Sequence, residues 1–345
     1  TDIGIDEARK RFFGLMAEAM NFHNYGRIDF SPLYIDNEEY SKRYMRPVGK
    51  SLWHYTSADG LMGIMKQRSI WLSSIFHMND RTEMFHAFFE FRRRALLLCQ
   101  RTRQGKHHYF FDYLFSRGMY EHAFMTFVAC FSSRGNLLSQ WRAYGGSGDR
   151  FCLQFSGEKL LDVVRCSICG SIIEDSMTID DDIIFGFVEV LYDDQIKIQI
   201  MDFFLERFVE FLNINNFDMG NQNTIEALEL YTSVMLIHFG IMFKDHHFIE
   251  EAEWRIYCLA RNDPNTKNYV QGRAVKFRNG PYGLTPYFDM RFGPRDQEGV
   301  YPLPIEEVML GPHEDYLRAL RTLDYYLHQN GMGHVPSKFC QIPLR

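Results

Sequence analysis

Charged and apolar side chains alternate in the stretch Glu251-Ala252-Glu253-Trp254-Arg255-Ile256-Tyr257. A period of two residues is typical of a β-strand, in which successive side chains point to opposite faces. The stretch therefore predicts a strand with Glu251, Glu253 and Arg255 on one face and its apolar residues on the other. Two carboxylates aligned beside a guanidinium indicate a candidate site on that face.

Further β-type runs lie on both sides of this stretch, at 51–56, 70–72, 124–132, 150–155, 274–277, 287–292 and 308–310. A glycine-rich turn at 145–148 joins 124–132 to 150–155, so these two runs are predicted to pair as neighbours. Helical spacing of apolar residues in 195–213 and 224–243 predicts two helices inserted before the alternating stretch. Strands and helices do not alternate regularly, and no glycine-rich phosphate loop follows a strand. This favours an α+β fold over a doubly wound sheet.

The order of the elements predicts two regions. Residues 1–45 contain an amphipathic helical pattern followed by a turn-rich stretch, and they are predicted to form an N-terminal helical extension. Residues 46–345 are predicted to form a single catalytic-type α+β domain, with the helical insertion at about 195–245.

Composition narrows the class of protein. The chain has 345 residues, a hydrophobic fraction of 46% and a formal net charge of −6, which argue against a disordered chain and against a generally basic nucleic-acid-coating surface. Its seven cysteines form no dense disulfide framework, and no apolar run is long enough to cross a membrane. We therefore expect a soluble cytoplasmic protein with reduced thiols.

Two groups of residues have the types that bind metals. Cys166 and Cys169 have the spacing of a zinc half-site, but no second pair stands at a convincing distance. His246, His247 and Glu251 would suit a metal-assisted hydrolase if their side chains converged on one ion. The prediction is that no metal is bound, with this hydrolase kept as a rival.

Five ordered motifs resemble the bacterial family of domain of unknown function 2971, over roughly residues 50–345. They are 52–57 (Leu-Trp-His-Tyr-Thr-Ser), 78–83 (Met-Asn-Asp with a later Glu), 130–132 (Cys-Phe-Ser), 138–145 (Leu-Ser-Gln-Trp-Arg-Ala-Tyr-Gly) and 248–255 (Phe, then Glu-Ala-Glu-Trp-Arg). The order of the motifs is also similar to that of ADP-ribosyltransferases, which carry a His or Arg on the first strand, a Ser-rich or aromatic second strand and a Glu on a later strand. The second resemblance implies a split sheet with a transferase-like core and NAD as co-substrate.

The transferase resemblance implies roles for the acidic stretch and for His54. Breaking the bond between nicotinamide and ribose develops positive charge on the sugar, which a nearby carboxylate stabilises. Glu253 is the predicted catalytic carboxylate, and Glu251 is the predicted acceptor-side carboxylate. His54 is predicted to hydrogen-bond a ribose hydroxyl, because a neutral imidazole offers one donor and one acceptor.

The remaining predicted contacts with NAD come from three segments. Tyr55 and Thr56 are predicted to line the cleft, and Ser132 is predicted to support the catalytic glutamate. A third group, Trp141, Arg142 and Tyr144, is predicted to cover a base and neutralise the pyrophosphate. The alternative interpretation is structural, with His54 and the aromatic rings in the core and the glutamates paired to Arg255 on a solvated face.

The transferase resemblance implies an NAD-dependent ADP-ribosyltransferase that modifies a macromolecular or nucleotide acceptor and acts as a bacterial toxin or phage-defence effector. NAD glycohydrolase activity is the alternative outcome when water is the acceptor. A non-catalytic binding or regulatory module of a defence or toxin–antitoxin system is the alternative from another class. The acceptor, the transferase branch and the oligomeric state stay open at this point.

Overall fold

The computed structural model describes residues 48–78, 82–102, 111, 124–143, 148–168, 183–214, 222–261, 275–280, 283–293 and 295–342. The predicted N-terminal extension, residues 1–45, lies outside the described residues, as do Tyr144 and Cys169. None of the described helices combines the length and the apolar character needed to cross a membrane.

The described residues contain ten strands. They are β1 (Ser51–Ser57), β2 (Ser69–Ser74), β3 (Phe124–Ser132), β4 (Arg150–Ser156), β5 (Ile183–Glu189), β6 (Glu253–Arg261), β7 (Val275–Gly280), β8 (Gly283–Arg291), β9 (Ile305–Leu310) and β10 (Ser337–Phe339).

Seven α-helices lie between these strands in the described residues. They are α1 (Ala58–Gln67), α2 (Thr82–Thr102), α3 (Leu138–Ala143), α4 (Gly157–Ile168), α5 (Asp194–Ile214), α6 (Gln222–Met242) and α7 (Tyr316–Gln329). Short 3-10 helices occupy Ile75–His77 and His246–Glu251. The two long helices expected before the alternating stretch are α5 and α6.

All ten strands belong to one sheet, with the path β10-β9-β4-β1-β3-β2-β8-β7 and with β6 pairing both β3 and β5. Only the short β10 runs parallel to its neighbour, and every other named pairing is antiparallel. The prediction of an α+β fold with a mostly antiparallel sheet is confirmed at this level.

One expected pairing is wrong. Strand β4 pairs with β1 and β9, whereas β3 takes β1, β2 and β6 as partners. The segment between β3 and β4 contains α3, so the two strands are not joined by a simple hairpin turn. The glycine-rich stretch 145–148 indicates where the chain turns between β3 and β4, but it does not indicate which strands pair with each other.

The edge of β3 that faces away from β6 is divided between two strands. Strand β1 pairs there at Trp53 with Ser132, and β2 pairs at Ser73 with Val128 and at Ser74 with Phe127. Among the described pairings, none occupies residues 129–131 on this edge. Strands β1 and β2 therefore diverge from β3 and open a gap in the sheet.

Side-chain alternation gives each face of the sheet its own core. On one face Val128, Tyr257 and Leu259 pack with α2, α5 and α6. On the other face Phe131 and Ile256 pack with residues of α1, α4 and α7. Glu253 and Arg255 stand four and two residues before Tyr257, so they point toward the α5 and α6 side.

Gly186 of β5 lies opposite Tyr257 of β6 and provides a test of this packing. A Cβ atom at Gly186 would stand 2.2 Å from Cζ of Tyr257, which is buried and has little room to move. We expect Gly186→Ala to lower the free energy of unfolding by about 1–3 kcal/mol through overpacking. Urea unfolding would measure the change. Gly148→Ala is the matched control, because a Cβ there meets nothing within 4 Å; equal midpoints for both variants would contradict the packing.

Candidate functional site

A cavity of about 730 Å³ opens where β1 and β2 diverge from β3. Its wall includes residues 53–57 of β1, residues 70, 71 and 73 of β2, and residues 128–132 of β3, together with Glu251 and Glu253. Cavities of roughly 300–1,000 Å³ are typical of small-molecule and cofactor sites. The gap in the sheet therefore forms a ligand-sized cleft.

Glu253 is held at the wall of this cleft by two cations. Arg255 donates from Nε to Oε1 at 2.8 Å and from Nη2 to Oε2 at 3.2 Å, and Lys244 Nζ lies 3.0 Å from Oε2. The three residues are 5%, 2% and 9% exposed, respectively, so the carboxylate is buried among its partners. Removing either cation would leave a buried charge short of a partner, which is strongly destabilising.

These contacts keep Glu253 ionised. Burial by itself raises the pKa of a carboxyl group, but the adjacent Arg255 and Lys244 charges, with hydrogen bonds from Arg255 and Cys130, lower the pKa of Glu253 to about 2. The side chain is therefore a carboxylate throughout the physiological range. It serves as a fixed negative charge and hydrogen-bond acceptor, not as a proton donor.

The structure corrects the predicted position of Glu251. This residue ends the 3-10 helix His246–Glu251, and Ala252 then adopts a left-handed conformation with φ of 44° before β6 begins at Glu253. Glu251 thus shares no strand face with Glu253. The turn nevertheless brings both carboxylates to one cation, since Oε2 of Glu251 lies 2.7 Å from Lys244 Nζ.

Arg255 and Lys244 also tie the site to the end of α6. Arg255 Nη1 donates to the carbonyls of Gly240 and Ile241 at 3.3 and 2.9 Å, which are groups in the last turn of that helix. A cation at a helix C-terminus satisfies carbonyls that have no partner within the helix and interacts favourably with the helix dipole. The cluster Glu251, Glu253, Arg255 and Lys244 is called the ion cluster below.

His54 lies in the gap of the sheet. Its Nδ1 atom is 2.9 Å from the carbonyl oxygen of Cys130, one of the β3 residues without a strand partner on this edge. A carbonyl can only accept, so Nδ1 carries the proton and Nε2 is left as the acceptor nitrogen. Burial lowers the pKa of His54, and the hydrogen bond to Cys130 only partly opposes this, so the ring is neutral at pH 7.

Two β3 side chains complete the wall beside the ion cluster. The Ser132 hydroxyl donates to the Glu251 carbonyl at 2.6 Å and accepts from the Arg134 backbone N–H at 3.0 Å, which locks the turn before β6 against the end of β3. The Cys130 thiol hydrogen-bonds Glu253, and burial together with that carboxylate raises the pKa of the thiol well above its usual range. Cys130 is therefore a neutral donor and not a thiolate nucleophile.

Of the described aromatic residues predicted to contact NAD, Tyr55 is among those that line the cleft and Trp141 is not. Trp141 is 1% exposed, stacks edge-on against Tyr55 and donates from Nε1 to Asn136 Oδ1, so it presents no face to the cleft. Tyr55 packs against Trp141 in a small core cluster, and its hydroxyl is bonded to the backbone of Arg134 and Leu137. These two rings are core anchors, as large aromatic side chains often are.

The remaining predicted contacts divide into two groups. Thr56 lines the cleft, as do His54, Ser132, Glu251 and Glu253. Arg142 is exposed and is not among the described residues that line the cleft.

The rival metal set does not converge. Asp245, His246 and His247 have ligand atoms within 4.8 Å of one another on the exposed surface, and His247 Nδ1 is 2.6 Å from Asp245 Oδ1. Glu251 is not part of this group, since its carboxylate is directed to Lys244. The side chain of Cys166 and all of Cys169 lie outside the described residues, so the half-site has no structural description.

Comparison with known proteins gives a family resemblance. A family model described as "Protein of unknown function (DUF2971)" matches residues 140–256, which include the last four residues of α3, the inserted helices and the ion cluster. The resemblance predicted from the motifs is confirmed over these residues. No curated protein and no solved structure matches the chain.

Sequence reasoning missed two members of the site. Lys244 was not predicted, although a lysine directly after the apolar run 239–243 and shortly before two glutamates is a detectable signal for a buried ion pair. From the sequence, Cys130 stands out only as a member of the motif 130–132. Its contact with Glu253 depends on the β3–β6 register, in which it faces Arg255.

The depressed pKa of Glu253 predicts a specific pH dependence of stability. Because the pKa is about 2 in the folded chain against 4.5 for an unperturbed glutamate, the unfolded chain takes up the proton first as the pH falls. The stabilisation, about 3 kcal/mol, is fully present above pH 4.5 and is lost progressively toward pH 2.

Unfolding free energies measured by denaturant at several pH values between 2 and 6 would test this. We expect Glu253→Gln to flatten the acid-side slope, because the group that titrates has been removed. Glu306→Gln removes an exposed carboxylate of β9 and should keep the wild-type slope. An unchanged slope in Glu253→Gln would contradict a depressed pKa at this residue.

Proposed function

We propose that the cleft binds NAD and that the protein is an NAD-dependent ADP-ribosyltransferase. The observation that carries the proposal is the convergence of His54, Ser132, Glu251 and Glu253, which lie far apart in sequence, on one cavity of about 730 Å³. The order of these residues along the chain is the order implied by the transferase resemblance. The divided edge of β3 also fits the split sheet of an ADP-ribosyltransferase-like core.

The proposed reaction breaks the bond between ribose C1′ and the nicotinamide nitrogen. Nicotinamide leaves with the electron pair and becomes neutral, C1′ develops oxocarbenium character, and the acceptor bonds to C1′ as it loses its proton to water or to a base of its own. Glu253 contributes a permanently ionised carboxylate beside that charge. Such a preorganised charge stabilises the transition state more than the ground state.

His54 and Glu251 have supporting roles in the proposal. The acceptor nitrogen Nε2 of His54 suits a ribose hydroxyl, while Nδ1 is occupied by the Cys130 carbonyl. The Glu251 side chain is 16% exposed against 6% for Glu253, which suits a position nearer the acceptor. A protein, a nucleic acid or a nucleotide would each complete the transfer, and water in that place gives NAD hydrolysis instead.

A second candidate function is a non-catalytic binding module. Both oxygens of Glu253 already contact Arg255 or Lys244, an arrangement that also serves to join β6 to the end of α6. In that case the cleft binds a ligand without breaking a bond. Both functions are compatible with a toxin or defence setting, and turnover distinguishes them.

Glu253→Gln is the decisive variant. We expect wild type to release nicotinamide from NAD and to transfer labelled ADP-ribose to a component of cell lysate. Glu253→Gln should lower kcat by at least about 100-fold, the usual loss when a preorganised electrostatic group is removed. The measurement is nicotinamide release by chromatography, with circular dichroism to verify folding.

Glu306→Gln is the matched control and should retain wild-type turnover. Full activity in both Glu253→Gln and Glu251→Gln would contradict the roles given to the glutamates. Binding of NAD without nicotinamide release by wild type would favour the binding module, and no NAD binding would exclude the enzyme proposal.

His54 can be tested with two variants that each keep one side of the imidazole. Asn places an amide near the position of Nδ1, and Gln places one near Nε2. We expect His54→Asn to raise KM for NAD by about 3- to 10-fold, the effect of one lost hydrogen bond, and His54→Gln to raise it less. Steady-state kinetics on both variants measures this, and an unchanged KM in His54→Asn would show that Nε2 does not contact the substrate.

A further inference from the structure

The cleft has a second polar group, on the side formed by β2 and β7. Arg278 and Asn279 of β7 line the cavity there, together with Trp71 and Ser73 of β2 and His77 of the following 3-10 helix. The sheet order β6-β3-β2-β8-β7 separates this side from Glu253. At about 4.8 Å per strand, the backbones of β6 and β2 are about 10 Å apart.

Arg278 is the only lysine or arginine among the described residues that line the cavity. Its Nη2 atom donates to the Ser73 hydroxyl at 2.9 Å, and its Cζ atom stands 5.6 Å from the centre of the Trp71 ring. The Nε atom is buried and has no acceptor, and none of the described carboxylates forms an ion pair with the guanidinium. The side chain is therefore held in place by neutral groups alone.

The neighbouring cations of the same hairpin are paired. Lys276 Nζ lies 2.9 Å from Asp289 Oδ2, and Arg291 Nη2 lies 3.6 Å from the same atom. Arg278 differs in keeping its charge without a counter-ion while partly buried, and burial lowers its pKa. A partly desolvated cation with an unsatisfied N–H is costly unless a ligand supplies the missing acceptor.

Phosphate oxygens have the charge and geometry that a guanidinium fork binds best. Ser73 and Trp71 fix the plane of the fork, so little side-chain entropy is lost when an anion arrives. The cleft then has carboxylates on the β6 side and a cation on the β7 side. That polarity matches a ligand with a developing positive charge on a sugar and a phosphate group farther along.

We propose that Arg278 is the phosphate-binding residue of the cleft and that it selects ligands carrying a nucleoside diphosphate. This rests on the proposed function for the identity of NAD, and it deepens that function by assigning the diphosphate subsite. Arg278 acts in binding and takes no part in breaking the bond to nicotinamide.

The test is calorimetric binding of ADP-ribose to wild type and to Arg278→Gln, repeated at low and high salt. We expect Arg278→Gln to weaken binding by at least about tenfold, the effect of losing a charge-assisted hydrogen bond to phosphate. Wild-type affinity should fall with added salt more steeply than that of the variant. Arg278→Lys keeps the charge but not the guanidinium fork. The logarithm of its Kd for ADP-ribose should therefore lie about midway between the values for wild type and Arg278→Gln.

Lys276→Gln is the matched control, because it removes the same charge from the same strand at a position that does not line the cavity. This variant should bind ADP-ribose within about twofold of wild type, since Lys276 does not line the cavity and its charge would act on the ligand only through solvent that screens it. Equal losses in Arg278→Gln and Lys276→Gln would overturn the proposal by showing a general charge effect. Circular dichroism on each variant verifies that the hairpin has folded.

This test separates the two proposals. Nicotinamide release by wild type, with ADP-ribose binding unchanged in Arg278→Gln, would overturn the diphosphate subsite and leave the enzyme intact. ADP-ribose binding that is lost in Arg278→Gln, without any nicotinamide release, would support the subsite and overturn the transferase. A wild type that binds no ADP-ribose would overturn the assignment of Arg278.

Discussion

The buried carboxylate of Glu253 must be kept ionised, and much of the surrounding structure meets that requirement. Arg255 and Lys244 supply the charge; Arg255 is held by carbonyls in the last turn of α6, and Lys244 lies two residues beyond the end of that helix. Lys197 of α5 binds the Lys244 carbonyl at 2.6 Å, so both inserted helices are joined to the site. A buried charge with missing partners would cost several kcal/mol, which is why β6, the 3-10 helix and α6 have to be arranged together.

The second constraint is the gap in the sheet. A strand edge that is left without a partner exposes polar backbone groups, and buried groups of this kind need a hydrogen bond. His54 satisfies the Cys130 carbonyl with a side chain in place of another strand, and Ser132 joins the end of β3 to the turn before β6 by donating to the Glu251 carbonyl. The Cys130 carbonyl therefore has a hydrogen-bond partner although no described strand pairs with β3 at this residue on the edge that faces away from β6. Because Nδ1 of His54 makes this hydrogen bond, Nε2 of the same ring is left as an acceptor.

Comparison of particular residues shows what the sequence could predict. The strand character of 253–257 and the helices on either side of 215–221 followed from their periods, because side-chain spacing reports which face is buried. Glu251 was misplaced because the alternation extends through Ala252, whose left-handed backbone has no signal in a period-two pattern. Trp141 was assigned to the cleft because an aromatic ring next to an arginine suits both a core and a binding surface. Only its packing against Tyr55 decides between them.

The sequence by itself determined the local structure, the α+β class, the family resemblance and the candidates His54, Ser132, Glu251 and Glu253, since each depends on residue type and spacing. The tertiary structure alone decided the partners of β3, the pairing of Glu253 with Lys244, and the approach of Arg278 to the cleft from β7. The physical reason is that strand pairing is a long-range property. The register that places Cys130 opposite Arg255 joins residues more than a hundred positions apart, and nothing in either segment specifies the other.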